Sequence, residues 1–141
     1  MSKGEVGSIF FSRLLEDEDL AEAVKKRAKE SGVKAGAFIL IGTLKHAALG
    51  YYKEGEYKTM RFDGPLEIAS CTGNIAVDEK GEVIVHAHVV ISNEKSEAFG
   101  GHLMKGSTVG ATAELVIIEA RRINLQRAFD EETKLNLLKL R

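Results

Sequence analysis

Cysteine, proline and tryptophan are scarce in this chain. Among its 141 residues there is one cysteine (Cys71), one proline and no tryptophan. A single cysteine excludes an internal disulfide and suits a reducing compartment. No apolar run approaches the roughly 20 residues of a membrane helix, and the first residues lack the apolar core of a signal peptide. We therefore expect a cytoplasmic protein without a membrane partner.

Neither sign of charge is in excess. The chain carries 20 lysines and arginines against 21 aspartates and glutamates, a formal net charge of −1. A broad nucleic-acid-binding face is built from clustered Lys and Arg, so this balance argues against one. The hydrophobic fraction of 44% and the length are typical of one globular domain with an ordinary core.

One helix is predicted near the start of the chain, after a first strand over residues 5–14. An acidic run, residues 16–19, opens it, and Leu20, Val24 and Ala28 form one apolar stripe at helical spacing. Acids at the start and lysines and arginines toward the end suit the helix dipole. Gly32 is the predicted stop signal.

The rest of the chain has the character of strands. Apolar segments at 36–44, 66–77, 83–91 and 111–119 are separated by turn signals at 51–57 and 78–82. The final segment, FDEETKLNLLKLR, fits either a short helix or a piece lying across the sheet. One helix with several strands predicts the α+β class: a mostly antiparallel sheet with one packed helix.

Three of the four histidines lie close together in the sequence. In a strand over 83–91, His86 and His88 project from one face, while Val83, Val85, Ala87, Val89 and Ile91 form a core face. His102 follows two glycines, Gly100 and Gly101, whose lack of side chains allows the backbone to approach another strand or a bound group.

Three neutral imidazoles with an open fourth position are typical of a catalytic type of zinc site. Imidazole also suits copper, nickel and iron, and zinc (Zn²⁺) is favoured by geometry. The alternative is that His86, His88 and His102 are ordinary polar residues of a half-exposed sheet. A bound metal would polarise a carbonyl or lower the pKa of water.

Two carboxylates are candidates for proton transfer or for orienting a histidine. Glu114 shares a strand face with Val116 and Ile118, and Glu67 points away from Leu66 and Ile68. The alternative for each is a salt-bridged or solvent-facing residue of a strand.

The segment GPLEIASCTGNIAVDEKGEVIVHAHVVI, followed by GGHLMKG and AELVI, resembles the PPC (plant and prokaryote conserved) domain family. The resemblance extends over residues 4–133, which we take as the domain, with 134–141 as a C-terminal tail. It implies an α+β homotrimer whose histidines gather a metal in a pocket near a subunit boundary.

Two departures from the plant branch of that family weaken a DNA-binding role. The arginine-glycine-arginine-proline hook of the plant proteins does not occur, and their partner-binding segment loses its arginine in the matching stretch, residues 64–69. The first hypothesis is therefore a metal-binding trimer that handles an unidentified small molecule. Were it an enzyme, it would be a metal-dependent lyase or hydrolase.

Two other functions stay open. One is a DNA-associated regulatory or scaffolding module, as in the plant branch. The other is a trimer that holds a partner protein, in which the histidines are structural.

Overall fold

The computed structural model describes residues 1–139, and in this part of the chain one helix accompanies eight strands. No helix there is long and apolar enough to cross a membrane. In chain order the elements are β1 (Glu5–Leu14), α1 (Leu20–Glu30), β2 (Gly36–Lys53), β3 (Glu56–Val77), β4 (Val83–Ser92), β5 (Ala98–Leu103), β6 (Thr108–Arg121), β7 (Arg127–Asp130) and β8 (Leu135–Leu138).

Six strands form one antiparallel sheet in the order β1-β6-β2-β3-β4-β5. β5 pairs with β4 and also with the far part of β2, where His102 faces Gly50. Four strands, β2 to β5, thus close into a ring. β2 and β3 are long, and their pairing has register shifts at which the strands bend. Both strands therefore belong to the open sheet and also to the ring.

The core lies between α1 and one face of the sheet. The apolar stripe of the helix is fully buried against inward residues of the strands, among them Phe38, Leu40, Ala87 and Val89. We call the opposite side of the sheet the outer face. Because strand side chains alternate, the residues between those core positions lie on the outer face.

Local capping fixes the ends of α1. The Asp19 carboxylate accepts a hydrogen bond from the Glu22 amide (3.1 Å), and its second oxygen accepts one from the Gly106 amide (2.7 Å). Gly32 has φ of 71°, a left-handed conformation that a residue without Cβ adopts at little cost. Asp19 therefore ties the helix start to the loop before β6.

The predicted α+β class and antiparallel sheet are confirmed. The first strand, the helix and the turns at 51–57 and 78–82 lie where the sequence predicts them. Strands β2 and β3 extend well beyond the apolar runs at 36–44 and 66–77, because they continue through polar residues to a shared hairpin turn.

The end of the chain forms a hairpin rather than a helix. Strands β7 and β8 pair antiparallel, and we call residues 127–138 the C-terminal hairpin. The first part of the predicted tail, 134–141, supplies β8, whereas residues 140 and 141 lie outside the described residues.

Replacing the helix cap should destabilise the fold measurably. Asp19→Ala removes both carboxylate hydrogen bonds and should lower the free energy of unfolding by about 1–2 kcal/mol. Urea unfolding followed by circular dichroism measures this. The exposed Glu30→Ala is the matched control, and an equal loss in both variants would contradict the capping role.

Candidate metal centre

Strand alternation and strand register together assemble the histidines. His86 and His88 project from the outer face of β4, and His102 of β5 is the direct cross-strand partner of His88. The ring centroids lie 5.0 to 5.4 Å apart. One nitrogen of each ring lies within 4.8 Å of the other two. We call His86, His88 and His102 the histidine cluster.

Gly101 lets β5 come close to β2. A Cβ at this position would lie 2.9 Å from the Gly50 carbonyl oxygen, so any side chain would push the two strands apart. At Gly100 a Cβ would meet Val90 at 3.4 Å, an ordinary contact. The close approach predicted for the two glycines is therefore required only at Gly101, and their contact with a bound group stays a prediction.

His102 is held as a neutral imidazole with a free nitrogen. Its ring stacks on Tyr57 with 4.6 Å between centroids, and its buried Nδ1 has no hydrogen-bond partner among the described residues. Burial, then the neighbouring His86, His88 and Arg127, lowers the pKa of His102 to about 4. A neutral ring with a free lone pair is the form that a metal requires.

The side chain of Arg127 reaches the cluster from the C-terminal hairpin. Its Nη2 donates to His86 Nδ1 (3.0 Å) and to Asn74 Oδ1 (2.9 Å), and its Nη1 donates to the Asn136 carbonyl oxygen (2.8 Å). Burial, then the charge of Arg127 and the ring of His88, lowers the pKa of His86. Strand β7 therefore adds Arg127 to the histidines of β4 and β5, and the sequence alone did not predict this residue at the site.

No local signal marks Arg127 in the sequence. It follows the loop after β6 in a stretch of mixed polar and apolar residues, and only the docking of the hairpin brings it to β4. Asn74 offers a weak signal, since it is a polar residue between apolar ones and lies directly opposite His86. A cavity of about 350 Å³ opens beside His86, His102 and Arg127, under the hairpin.

Neither candidate carboxylate lies at the cluster. Glu67 faces Ser92, four residues beyond His88 or roughly 13 Å along the strand. Glu114 lies on β6, three strands away from β4, between Arg13 and Ile41. Both are exposed. The predicted role of both in proton transfer stays a prediction with no contact to the histidines within one chain.

Cys71 faces the core, not the histidines. It lies opposite Val89 in the sheet and is 1% exposed, and burial raises the pKa of its thiol to about 12. His46 is also remote, with its Nδ1 3.0 Å from Asp63. The donor atoms that converge are therefore the nitrogens of three imidazoles, with no thiolate or carboxylate among the described residues joining them.

Solved structures with this architecture are known. A plant- and prokaryote-conserved (PPC) protein from Pyrococcus horikoshii is 31% identical with a TM-score of 0.90, over 100% of this chain and 98% of that one. A metal-containing protein from Archaeoglobus fulgidus is 31% identical with a TM-score of 0.88, over 98% and 97%. A protein from Ralstonia eutropha with a proposed DNA-binding role is 26% identical with a TM-score of 0.81, over 93% and 90%.

Curated relatives are much longer than this chain. A Synechococcus protein named bifunctional protein GlmU is 28% identical over 123 residues, which cover 86% of this chain and 18% of that protein. The chain thus spans less than a fifth of that relative. Residues 1–121 match the sequence profile of the Plants and Prokaryotes Conserved (PCC) domain, and the chain belongs to that family.

Proposed function

We propose that this protein is a zinc-binding domain that holds the ion between His86, His88 and His102 and keeps a coordination position open for a small molecule. The observation that carries the proposal is the convergence of three imidazoles, with one nitrogen of each within 4.8 Å of the others. Zinc–nitrogen bonds are about 2.0–2.1 Å long, so small side-chain rotations let one ion reach all three.

The chemistry of the donor set fits zinc. The buried Nδ1 of His102 lacks any partner among the described residues, and burial keeps the pKa of that ring low. Three nitrogen ligands without a thiolate or a carboxylate are typical of zinc sites that leave a fourth position open. Copper and nickel also accept imidazole, so the choice of zinc rests on the preferred geometry.

The surroundings of the cluster suit a small ligand. A zinc ion supplies Lewis acidity that polarises a carbonyl group or lowers the pKa of a bound water molecule. Tyr57 holds the ring of His102 by stacking, and Asn74 holds the guanidinium of Arg127. The adjoining cavity of about 350 Å³ has room for a small metabolite and not for a polymer.

We also propose that the domain is a homotrimer in the cytoplasm. The resemblance in sequence implies the trimer, and exposed apolar side chains on the outer face support an interface. Phe11, Val116 and Ile39 lie side by side across three strands, in the same row as Thr72 and His88. Phe11 is 80% exposed and Ile41 is 53% exposed. Contiguous exposed apolar patches are typical of interaction surfaces.

The second candidate is a DNA-associated module. It is favoured by the proposed DNA-binding role of the Ralstonia eutropha relative. The charges of this chain argue against it, because 21 acidic side chains offset its 20 basic ones. We therefore rank it below the metal-binding function.

Removing one imidazole should abolish tight zinc binding. Because loss of an outer partner of a ligand alone weakens metal binding by about 10–100-fold, loss of a ligand in His88→Ala should weaken it by at least about 100-fold. Elemental mass spectrometry of untagged protein and competition with a chelator measure the content and the affinity.

The remote His46→Ala is the matched control and should keep full zinc occupancy. His88 is exposed, so its replacement should leave the circular dichroism spectrum unchanged. Full zinc occupancy in His88→Ala would contradict the proposal. Absence of zinc from the unmodified protein, even after zinc is added back, would also contradict it.

A charge on the apolar part of the outer face should break the trimer. The unmodified protein should have three times the monomer mass of 15.4 kDa by light scattering. Ile39→Asp, at a position that lies between Val116 and Thr72, should shift that mass to the monomer value, because a carboxylate buried without a partner is costly. Tyr51→Asp, at a position that is 63% exposed near the β2–β3 turn, should stay trimeric. A monomeric unmodified protein would contradict the trimer.

Duplex DNA should not bind the isolated protein. With micromolar protein at about 50 mM salt, the most permissive condition, we expect no mobility shift, because phosphate binding requires clustered Lys and Arg and this chain has a formal net charge of −1. A shift that weakens steeply with added salt would instead put the DNA-associated function first.

A further inference from the structure

The guanidinium of Arg127 is a buried charge without a counter-charge. The residue is 7% exposed, and no carboxylate lies within 4.0 Å of its nitrogens among the described residues. Its contacts are the neutral acceptors Asn74, His86 and Asn136, and its buried Nε has no hydrogen-bond partner in residues 1–139. Burying a charge without a counter-charge is costly, so an anion placed against this guanidinium would offset part of that cost.

The hydrogen bond from Arg127 fixes the tautomer of His86. A guanidinium has only donors, so His86 Nδ1 must accept with its lone pair. A neutral imidazole has a single lone-pair nitrogen, and the hydrogen therefore lies on Nε2. In this state neither nitrogen of His86 is free to bind a metal. A metal on His86 and the Arg127–His86 hydrogen bond thus exclude each other.

Metal binding on His86 would consequently free one donor of Arg127. This donor is the Nη2–H that His86 accepts. A guanidinium N–H donates a strong, charge-assisted hydrogen bond to a carboxylate oxygen. Asn74 and Asn136 still hold the side chain in place.

The cavity beside Arg127 has the shape and lining for such a ligand. It encloses about 350 Å³ between the hairpin and the sheet, and Arg127, His86 and His102 form its polar end. Its other walls include Tyr57, Ile84 and Leu137. Lys134 lies at the exposed side, where its ammonium is paired with Glu131 at 2.8 Å. A small carboxylate with a short apolar stem fits this arrangement.

We infer that Arg127 is a carboxylate receptor that metal binding releases from His86, so that the metal and a small carboxylate bind cooperatively. This inference rests on the proposed function, since it takes the histidine cluster to be the metal site. The receptor lies in the C-terminal hairpin, beyond the residues 1–121 that the family profile matches.

The test measures zinc affinity with and without a carboxylate, using butyrate as the probe and neutral butyramide as its match. In the unmodified protein, saturating butyrate should tighten zinc binding roughly 10-fold, the size of one charged hydrogen bond, and butyramide should not. In Arg127→Gln, zinc should bind about 10-fold tighter without any carboxylate, because the competing hydrogen bond and the repelling charge are gone, and butyrate should add little.

Arg122→Gln is the matched control, because Arg122 is an exposed arginine paired with Glu5, and it should behave as the unmodified protein. A measurement without any variant supports the same point. Long-range proton–nitrogen spectra of the metal-free protein should show His86 as the Nε2–H tautomer, and zinc should abolish the Arg127 contact.

Each outcome separates the two claims. Zinc that binds to the unmodified protein with an affinity indifferent to butyrate would overturn the receptor and leave the metal site standing. Weaker zinc binding in Arg127→Gln would also overturn the receptor, because Arg127 would then only support His86. A butyrate effect of equal size in that variant would overturn it too, because butyrate would then act without Arg127. Absence of zinc binding by the unmodified protein would overturn the proposed function itself.

Discussion

The antiparallel register between β4 and β5 sets His88 opposite His102, and the candidate metal centre depends on it. A slip of one residue would turn one of the two rings to the other side of the sheet. The register is held from both sides, since β5 also pairs with β2, where Gly101 passes close to the Gly50 carbonyl. The core residues of β4, among them Ala87 and Val89, pack against the rest of the core. Packing of these core residues therefore fixes the position of β4 and of its two histidines.

The site combines neutral nitrogens with a buried positive charge. Burial disfavours protonation of the His102 ring and keeps its lone pair available. The same burial makes the guanidinium of Arg127 costly unless acceptors surround it, and one of those acceptors is His86. The hydrogen bonding of Arg127 and metal binding thus compete for a single nitrogen. This competition links the C-terminal hairpin to the histidine cluster.

Features set by local chemistry could be predicted from the sequence. Alternation along residues 83–91 placed His86 and His88 on one face, and the acidic run and Gly32 marked the two ends of the helix. Features set by long-range pairing could not. The order of the strands separates Glu114 from the histidines, and its apolar neighbours lie on an outer face that residues 1–139 leave partly exposed. Arg127 lies 41 residues after His86 in the sequence and reaches it only because the C-terminal hairpin folds back onto β4. The spacing of residues in the sequence predicts neither the position of Glu114 nor the contact of Arg127 with His86.

The most direct test of the central claim is the zinc K-edge X-ray absorption spectrum of the zinc-loaded protein. The account predicts three imidazole nitrogens at about 2.0–2.1 Å and one further light atom at the open position. A sulfur neighbour at about 2.3 Å, or a set of oxygen neighbours without imidazole scattering, would contradict it.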